Sequence, residues 1–587
     1  VTQGNKEWTR PVHIVGRPYA TTSIVSSPAD QHNQNANATA VRKYHSHAIP
    51  LDMEDIERDW DKPVEEAGIA AKASIIVRVG MLDLGAGTGS FRVREMMHRI
   101  AYPLGVHVRA DVNLTNIEAA CTDGKNRITE VVDLPTTGVN TERIWLLEHF
   151  ADWFNAHCGV GSMYHAKASV SEALMESMDA PEAQKSLVQA ARQRRKQKQA
   201  ELDARRIAGQ TPSEGRKSPI SDDVKSSNGE QAFTDTHASE AGQAPNIASN
   251  SSADQSERKP LTVRQAHDRL DVIEHRKPLY TPAFSALGAA IACAAFVFLL
   301  GGGPYDMIGA FVGAGIGHFL RRLMFARRLN QFFVTFVSVA VAALVCTGTL
   351  RLIGLADPVA LQHDTAYIGA MLFVIPGFPL ITGGLDIAKL DFPSGVQRMF
   401  YTLSLILMAT LAAWMVALIV HLNPQGFEPL NLNPWVYAGL RFIAAFAGVW
   451  GFSVLFNSPQ RMCYTAAIIG AITDTLRLTF VDFGMPPEAA AFIGALLAGL
   501  LATAWRQAVR HGKLPLYLGY PRICLTVPSI VIMVPGMYMY QAMFHLGQYE
   551  IQQSLDWGFR AFMVIVCLPI GLAMARVLAD KSWRYDV

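Results

Sequence analysis

The residues of this chain most able to do chemistry are polar groups set inside apolar sequence. Asp386 is the clearest of them. It ends the run Ile375-Pro376-Gly377-Phe378-Pro379-Leu380-Ile381-Thr382-Gly383-Gly384-Leu385. Proline removes a backbone donor and glycine loosens the backbone, so a helix breaks here and frees carbonyls and amides to hold a polar solute. Lipid tolerates such irregular backbone only where it is buried in protein or faces a wet cavity. A carboxylate at membrane depth is suited to binding an ammonium group or carrying a proton. The plainer alternative is an acid anchored at the interface beside Lys389.

The phrase Phe373-Val374-Ile375-Pro376-Gly377-Phe378 has an echo in Ile532-Met533-Val534-Pro535-Gly536-Met537. Tyr538, Tyr540 and Gln541 follow the second copy. They are polar without formal charge and suit a small zwitterion, or else belong to an interfacial aromatic belt. Asp474 and Arg477, three apart, can pair on one helix face. His318 stands at the position matching Thr475, beside Asp474, where it could shuttle protons or simply pack. The candidates for substrate binding or proton coupling are therefore Asp386, Pro376, Gly377, Thr382, Pro535, Gly536, Tyr540, Gln541, Asp474 and His318. The seven cysteines form no Cys-x-x-Cys pair and no even framework, so neither a zinc knuckle nor a disulfide scaffold is indicated; no metal and no cofactor are expected.

These residues need elements to position them. The chain has 587 residues, 50% hydrophobic and 17% charged, but the two kinds are segregated. The sequence is polar up to about Lys277 and nearly continuously apolar from Thr281, unlike a soluble protein of this size. Ten apolar stretches are long enough to span a bilayer, at about 281–300, 304–323, 331–353, 366–386, 397–421, 434–456, 461–480, 488–507, 523–545 and 558–579. Their loops alternate. One set carries Arg321, Arg322, Arg327, Arg328, Lys389, Arg398, Arg461, Arg506, Arg510, Lys513 and Arg522; the other carries Asp306, Asp357, Asp364, Glu428, Asp482, Glu488, Glu550 and Asp556. The positive-inside rule then places the amino-terminal part and the carboxyl terminus in the cytoplasm. The amino end has no apolar h-region, so no secretory signal is expected. Arg351 and Arg441, near outer span ends, are expected to snorkel.

Ala310, Gly313 and Ala314 match Ala467, Gly470 and Ala471 at an offset of 157, and Pro376 matches Pro535 at 159. Five spans were duplicated on this reading. Five is odd, so the second set enters from the opposite face, the inverted repeat of alternating-access carriers. The expected fold is a polytopic all-α membrane protein of ten helices in a 5+5 inverted repeat, with a small α/β cytoplasmic amino-terminal domain. The expected parts are a disordered arm (1–70), the cytoplasmic domain (71–165), a basic helix and disordered linker (166–280), and two membrane repeats (281–421 and 434–580).

One motif points elsewhere. Leu82-Asp83-Leu84-Gly85-Ala86-Gly87-Thr88-Gly89 looks like the glycine loop of S-adenosylmethionine-dependent methyltransferases, with Asp111 near the place of a ribose-binding acid. Such a loop needs a buried strand before it, and Lys72 and Arg78 in the preceding stretch fall at helical spacing.

Taken together, residues 71–160 and 281–580 resemble the threonine/serine exporter family. The resemblance rests on Arg78-Val79-Gly80, Gly87-Thr88-Gly89-Ser90, Val93, Arg94, Leu104-Gly105-Val106 and Asp111-Val112-Asn113-Leu114-Thr115 in the polar part. In the apolar part it rests on Leu300-Gly301-Gly302-Gly303, Ile375-Pro376-Gly377 with Asp386, Gly395 to Phe400, and Val534-Pro535-Gly536 with Tyr540. The chain departs from the family in its long 165–262 segment and in Asp391, where a glycine would be more usual. The resemblance implies a proton-driven exporter rather than an enzyme. Its partners would be a small amino acid, protons and the lipid bilayer, with no nucleic acid and with homo-oligomerisation left open. Some relatives split the halves into separate chains and export dicarboxylates, so a succinate-like cargo is the first alternative. A channel and a membrane-anchored S-adenosylmethionine-binding enzyme are the others.

Overall fold

The computed structural model describes residues 56, 58–134, 138–165, 167–178 and 260–584, apart from 425, 428, 429 and 431. Most of the expected amino-terminal arm, the basic run 192–198 and most of the expected linker lie outside the described residues.

The amino-terminal domain is built on α1 (Ile69–Gly85), which is buried along almost its whole length. Residues 69–85 are thus helical, as the spacing of Lys72 and Arg78 suggested. The glycine loop joins α1 to α2 (Ser90–Ala101), so it follows a helix and lacks the strand that a methyltransferase loop requires. Gly87 sits at φ +93°, a left-handed turn that ends α1. Strands β1 (His107–Val112), β2 (Asn116–Thr122) and β3 (Arg127–Asp133) follow as an antiparallel meander in the order β1-β2-β3. Period-2 alternation turns Val108, Val112, Ile117, Ala119, Cys121 and Val132 inward, and the sheet packs on α1. The domain is completed by α3 (Thr141–His157) and α4 (Ala168–Glu176).

A further helix, α5 (Val263–Glu274), lies in the stretch expected to be linker. Thr262 and Gln265 close a capping box at its start. His267 Nε2 meets Ser74 Oγ at 2.9 Å, and Glu274 takes Arg78 at 2.6 Å, both on α1. Residues 263–274 are therefore packed against the domain core rather than free. Their apolar face (Val263, Ala266, Leu270, Ile273) was too short a signal to stand out from polar surroundings.

The apolar part is helical throughout. It runs α6 (Pro282–Leu299), α7 (Pro304–Ala326), α8 (Gln331–Gly354), the pair α9 (Ala366–Ala370) and α10 (Gly377–Ala388), and α11 (Phe392–Val420). It continues with α12 (Pro434–Leu455), α13 (Gln460–Asp482), α14 (Pro487–Arg510), the pair α15 (Arg522–Val531) and α16 (Gly536–Gly547), and α17 (Ile551–Ala579). Among the described residues six helices, α6, α8, α11, α12, α14 and α17, are long and apolar enough to cross a membrane; each bent pair adds one if it is a single span, making eight. Ten were expected. The two left over, α7 and α13, have 23 residues each, ample length, but they carry charges: Asp306, Arg321 and Arg322 on α7, Arg461, Asp474, Arg477 and Asp482 on α13. The outer faces are apolar, with Leu403, Leu407, Leu418, Ile443, Phe559 and Phe562 exposed. A surface of that kind needs lipid to cover it, so this is a multi-pass membrane protein.

The two successive sets of helices agree in length. The second, third and fifth members have 23, 24 and 29 residues in both sets, and the helix after each break has 12. Packing agrees as well. A Cβ on Gly313 would stand 3.0 Å from Cβ of Ala370, and a Cβ on Gly470 would stand 3.2 Å from Cα of Ser529. Those partners are themselves 159 apart, so the small-residue motif seats the same part of the broken segment in both sets.

Candidate functional site

Both breaks are the same local structure. Pro376 has φ −80° and ψ 65°, Pro535 φ −81° and ψ 56°. The amide of Gly377 donates to Ile375 O and that of Gly536 to Val534 O, each at 2.8 Å. These are inverse γ-turns, and they bend the chain by 61° and 46°. The turns also interlock. A Cβ on Gly377 would lie 2.5 Å from Val531 Cγ2, and one on Gly536 would lie 2.5 Å from Ile375 Cδ1. Each glycine is pressed against the other broken segment.

Polar side chains surround this junction. The hydroxyls of Tyr367 and Tyr540 hydrogen-bond, both fully buried. Tyr367 carried no sequence signal. His318 Nε2 meets Ser285 Oγ at 3.0 Å, its ring lies edge-on to Phe373 before the first break, and its Nδ1 has no partner. Arg477 Nε holds Asp474 Oδ1 at 2.7 Å, leaving Oδ2 unpaired. A Cβ on Gly494 would touch both Met533 Sδ at 3.0 Å and Arg477 Cβ at 3.5 Å, which brings that ion pair beside the second break. Gln541 is buried next to Tyr540, whereas the Thr382 hydroxyl is spent on Phe378 O of its own helix. Arg441, expected to snorkel, forms an ion pair with Asp482.

Asp386 lies apart from the turns. It is nine residues past Gly377, about 13 Å along α10. Its Oδ2 meets Arg398 Nε at 3.2 Å and accepts from Ser394 at 3.4 Å. Its Oδ1 has no hydrogen-bond partner and faces the glycine loop of the amino-terminal domain; a Cβ on Gly89 would stand 2.6 Å away. The amino terminus of α2 thus abuts this acid, where backbone N–H groups favour negative charge. One turn on, Asp391 bonds the Ser90 hydroxyl and the Arg94 guanidinium. Gln397 Oε1 accepts from the Leu114 amide at 3.1 Å, and its Nε2 reaches Asn113 Oδ1 at 3.3 Å. Gly89, Ser90, Arg94, Asn113 and Leu114 therefore meet Asp386, Asp391 and Gln397 at one junction, although about 300 residues separate them in the chain. Arg398 and Ser394 were not singled out as site residues; Arg398 registered only as an inner-loop charge.

Two further contacts tie the domain to the apolar part through hydrogen bonds, while Phe91 packs edge-on against Trp583. Thr141 Oγ1 donates to Phe456 O at 3.1 Å and meets Ser458 Oγ at 2.6 Å. Asp152 gathers the Met163, Tyr164 and His165 amides, the Ser162 hydroxyl and the His165 ring, all within 2.8 Å. Burial would raise its pKa, but those donors and the His165 charge hold it well below the usual carboxylate range. The loop so shaped presents its carbonyls to Arg506 at 3.1 Å and Arg510 at 3.2 Å. All three contacts fall on loops of the basic set. The acidic set clusters separately, with His363 on Asp306 at 2.9 Å and Tyr305 on Asp357.

A family model described as "Putative threonine/serine exporter" (ThrE) matches residues 74–171 and 248–420, and a second, "Threonine/Serine exporter, ThrE", matches residues 441–578. A protein of Haemophilus influenzae described as "Uncharacterized protein" is 26% identical over 183 residues, 28% of this chain and 58% of that one. The chain thus spans a little over half the length of that relative. No solved structure matches. The first model covers both sides of the Asp386 junction, the second covers the helices from α12 to α17, and together they span the polar and apolar parts alike: the chain belongs to the threonine/serine exporter family.

Proposed function

We propose that the chain is a secondary exporter of threonine or serine, driven by the proton gradient through antiport. On this reading α6–α11 and α12–α17 are two five-span repeats, inverted with respect to one another, in which α7 and α13 are spans whose charges face protein. The single observation that carries it is the pair of matched inverse γ-turns pressed against each other. Discontinuous helices meeting at a repeat interface are where carriers hold substrate and coupling ion. Ile375 O and Val534 O, which accept from the turns' own glycine amides, have acceptor capacity left for a substrate ammonium and hydroxyl. Tyr540, Gln541, Thr382, His318 and Asp474 would line the path as the turns separate.

Asp386 is the coupling or ammonium-binding acid in this scheme. The domain (71–165, with α4 and α5 added) lies on the cytoplasmic side and covers the inner end of α10 through Gly89 and Ser90. That these three domain contacts fall on the basic loop set supports this orientation. Arg477 beside the second break would equally suit a carboxylate, which keeps a dicarboxylate cargo as the second reading.

The test uses proteoliposomes loaded in turn with threonine, serine and succinate under an imposed pH gradient. Uphill threonine or serine efflux that collapses on adding a protonophore is expected, and Asp386→Asn should abolish it while still inserting. Downhill leakage alone would make the protein a channel. Unchanged flux in the variant would remove Asp386 from the mechanism.

A further inference from the structure

A cavity of about 330 Å³ opens between the ends of α14 and α17 and the start of α15, lined by Thr503, Arg506, Gln507, Arg510, Arg522, Ala579, Asp580 and Lys581. Four lining residues are cations and one is an acid. Arg522 reaches Asp580 only at 3.8 Å and Arg506 reaches Glu148 only at 3.5 Å, and the carbonyls of Met163 and Tyr164 that Arg506 and Arg510 also bond carry no charge. The surrounding charges do not restore balance. Arg92, Arg99 and Arg576 bear on the cluster from α2 and α17, against Glu95 and Glu148. Cations gathered at this density repel one another unless an anion lies among them.

The position narrows the chemistry. Leu578 and Met574 on α17, just before the cavity, are exposed apolar side chains on the lipid-covered exterior. Arg510 and Lys581 stand exposed at the mouth, and Arg506 and Arg522 are half-buried behind them. Arginine forks match the oxygens of a phosphate group. Basic pockets between helices on the cytoplasmic side of a membrane are suited to phospholipid headgroups.

We propose that this cavity binds a phosphate group, carried either by an anionic phospholipid whose acyl chain lies along Met574 and Leu578 or by a soluble phosphate. The site is separate from the turns and from Asp386, and its test does not depend on transport. The purified full-length protein in neutral detergent is titrated with short-chain phosphatidylglycerol, short-chain phosphatidylcholine and inorganic phosphate at constant ionic strength, with Tm as the readout. A saturable rise with phosphatidylglycerol but not phosphatidylcholine assigns the lipid source; a rise with inorganic phosphate at similar concentration assigns the soluble one. Either response should weaken by about thirtyfold in half-saturating concentration in the Arg510→Gln, Lys581→Gln double variant. Lys581→Gln alone, at the exposed mouth, should show part of that loss and guards against misfolding of the double variant. No rise with either phosphate source, or an undiminished rise in the variants, overturns the proposal.

Discussion

Asp83 is fully buried at the end of α1, and neither carboxylate oxygen has a hydrogen-bond partner. Burial pushes its pKa up to about 6, with Arg92 pulling the other way. A carboxyl whose folded pKa is raised favours the fold fully below its unfolded pKa, and that contribution is lost as pH rises from about 4 through 6. His149, whose burial holds its pKa well below the ordinary value, acts oppositely: it loses stability as pH falls below about 6.5. The two overlap, so the measurement is the difference between wild type and Asp83→Asn at each pH. The variant should be the more stable by up to about 3 kcal/mol at pH 7.5 and equal to wild type below pH 4, read by thermal unfolding. A constant difference across that range would show that folding does not shift the Asp83 pKa. The sequence drew attention to this residue through its glycine-rich neighbours, but for the wrong chemistry. The helical spacing of Lys72 and Arg78 already indicated that no strand precedes the loop.

At the scale of elements the breaks were legible because proline and glycine act locally. What they face was not, because Val531 and Ile375 are ordinary apolar residues in sequence. The interlock makes a prediction of its own. Gly377→Ala places a methyl 2.5 Å from Val531 Cγ2 and should cost about 1–3 kcal/mol through overpacking. Val531→Ala in the same chain should recover most of that loss, as measured by thermal unfolding in detergent. If the two changes simply add, the turns do not touch in the protein. The same reasoning applies to Gly89, where a Val side chain would collide with Asp386 Oδ1 at 2.6 Å. Gly89→Val should loosen the domain from α10, seen as faster proteolysis of the amino-terminal domain, without loss of membrane insertion. Equal proteolysis in both proteins would mean that the junction does not restrain the domain.

For the whole molecule the question is which loops share a side. Domain contacts at 389–398, 456–458 and 506–524 gather the basic loops together. Single cysteines replacing Asp364 and Glu488 should react with an impermeant maleimide from the side opposite a cysteine at Lys125 in the β2–β3 hairpin. Reaction of all three from one side would leave no room for five crossings per set, and the inverted arrangement would fall with it. Native cysteines are buried or half-buried, so their background is small.

The amino-acid sequence by itself determined that this chain meets lipid, where its helices break, and which family it resembles. Those properties follow from runs of apolar residues, from the missing amide of proline and from local phrases, all of which act within a few residues. Only the tertiary structure decided that the two turns press on each other, that Asp386 lies under the glycine loop of the amino-terminal domain, and that residues 263–274 belong to the domain core. Those outcomes depend on which surfaces meet after the chain folds back across hundreds of residues. Side-chain shape and leftover hydrogen-bonding capacity choose them, and neither leaves a periodic trace in the sequence.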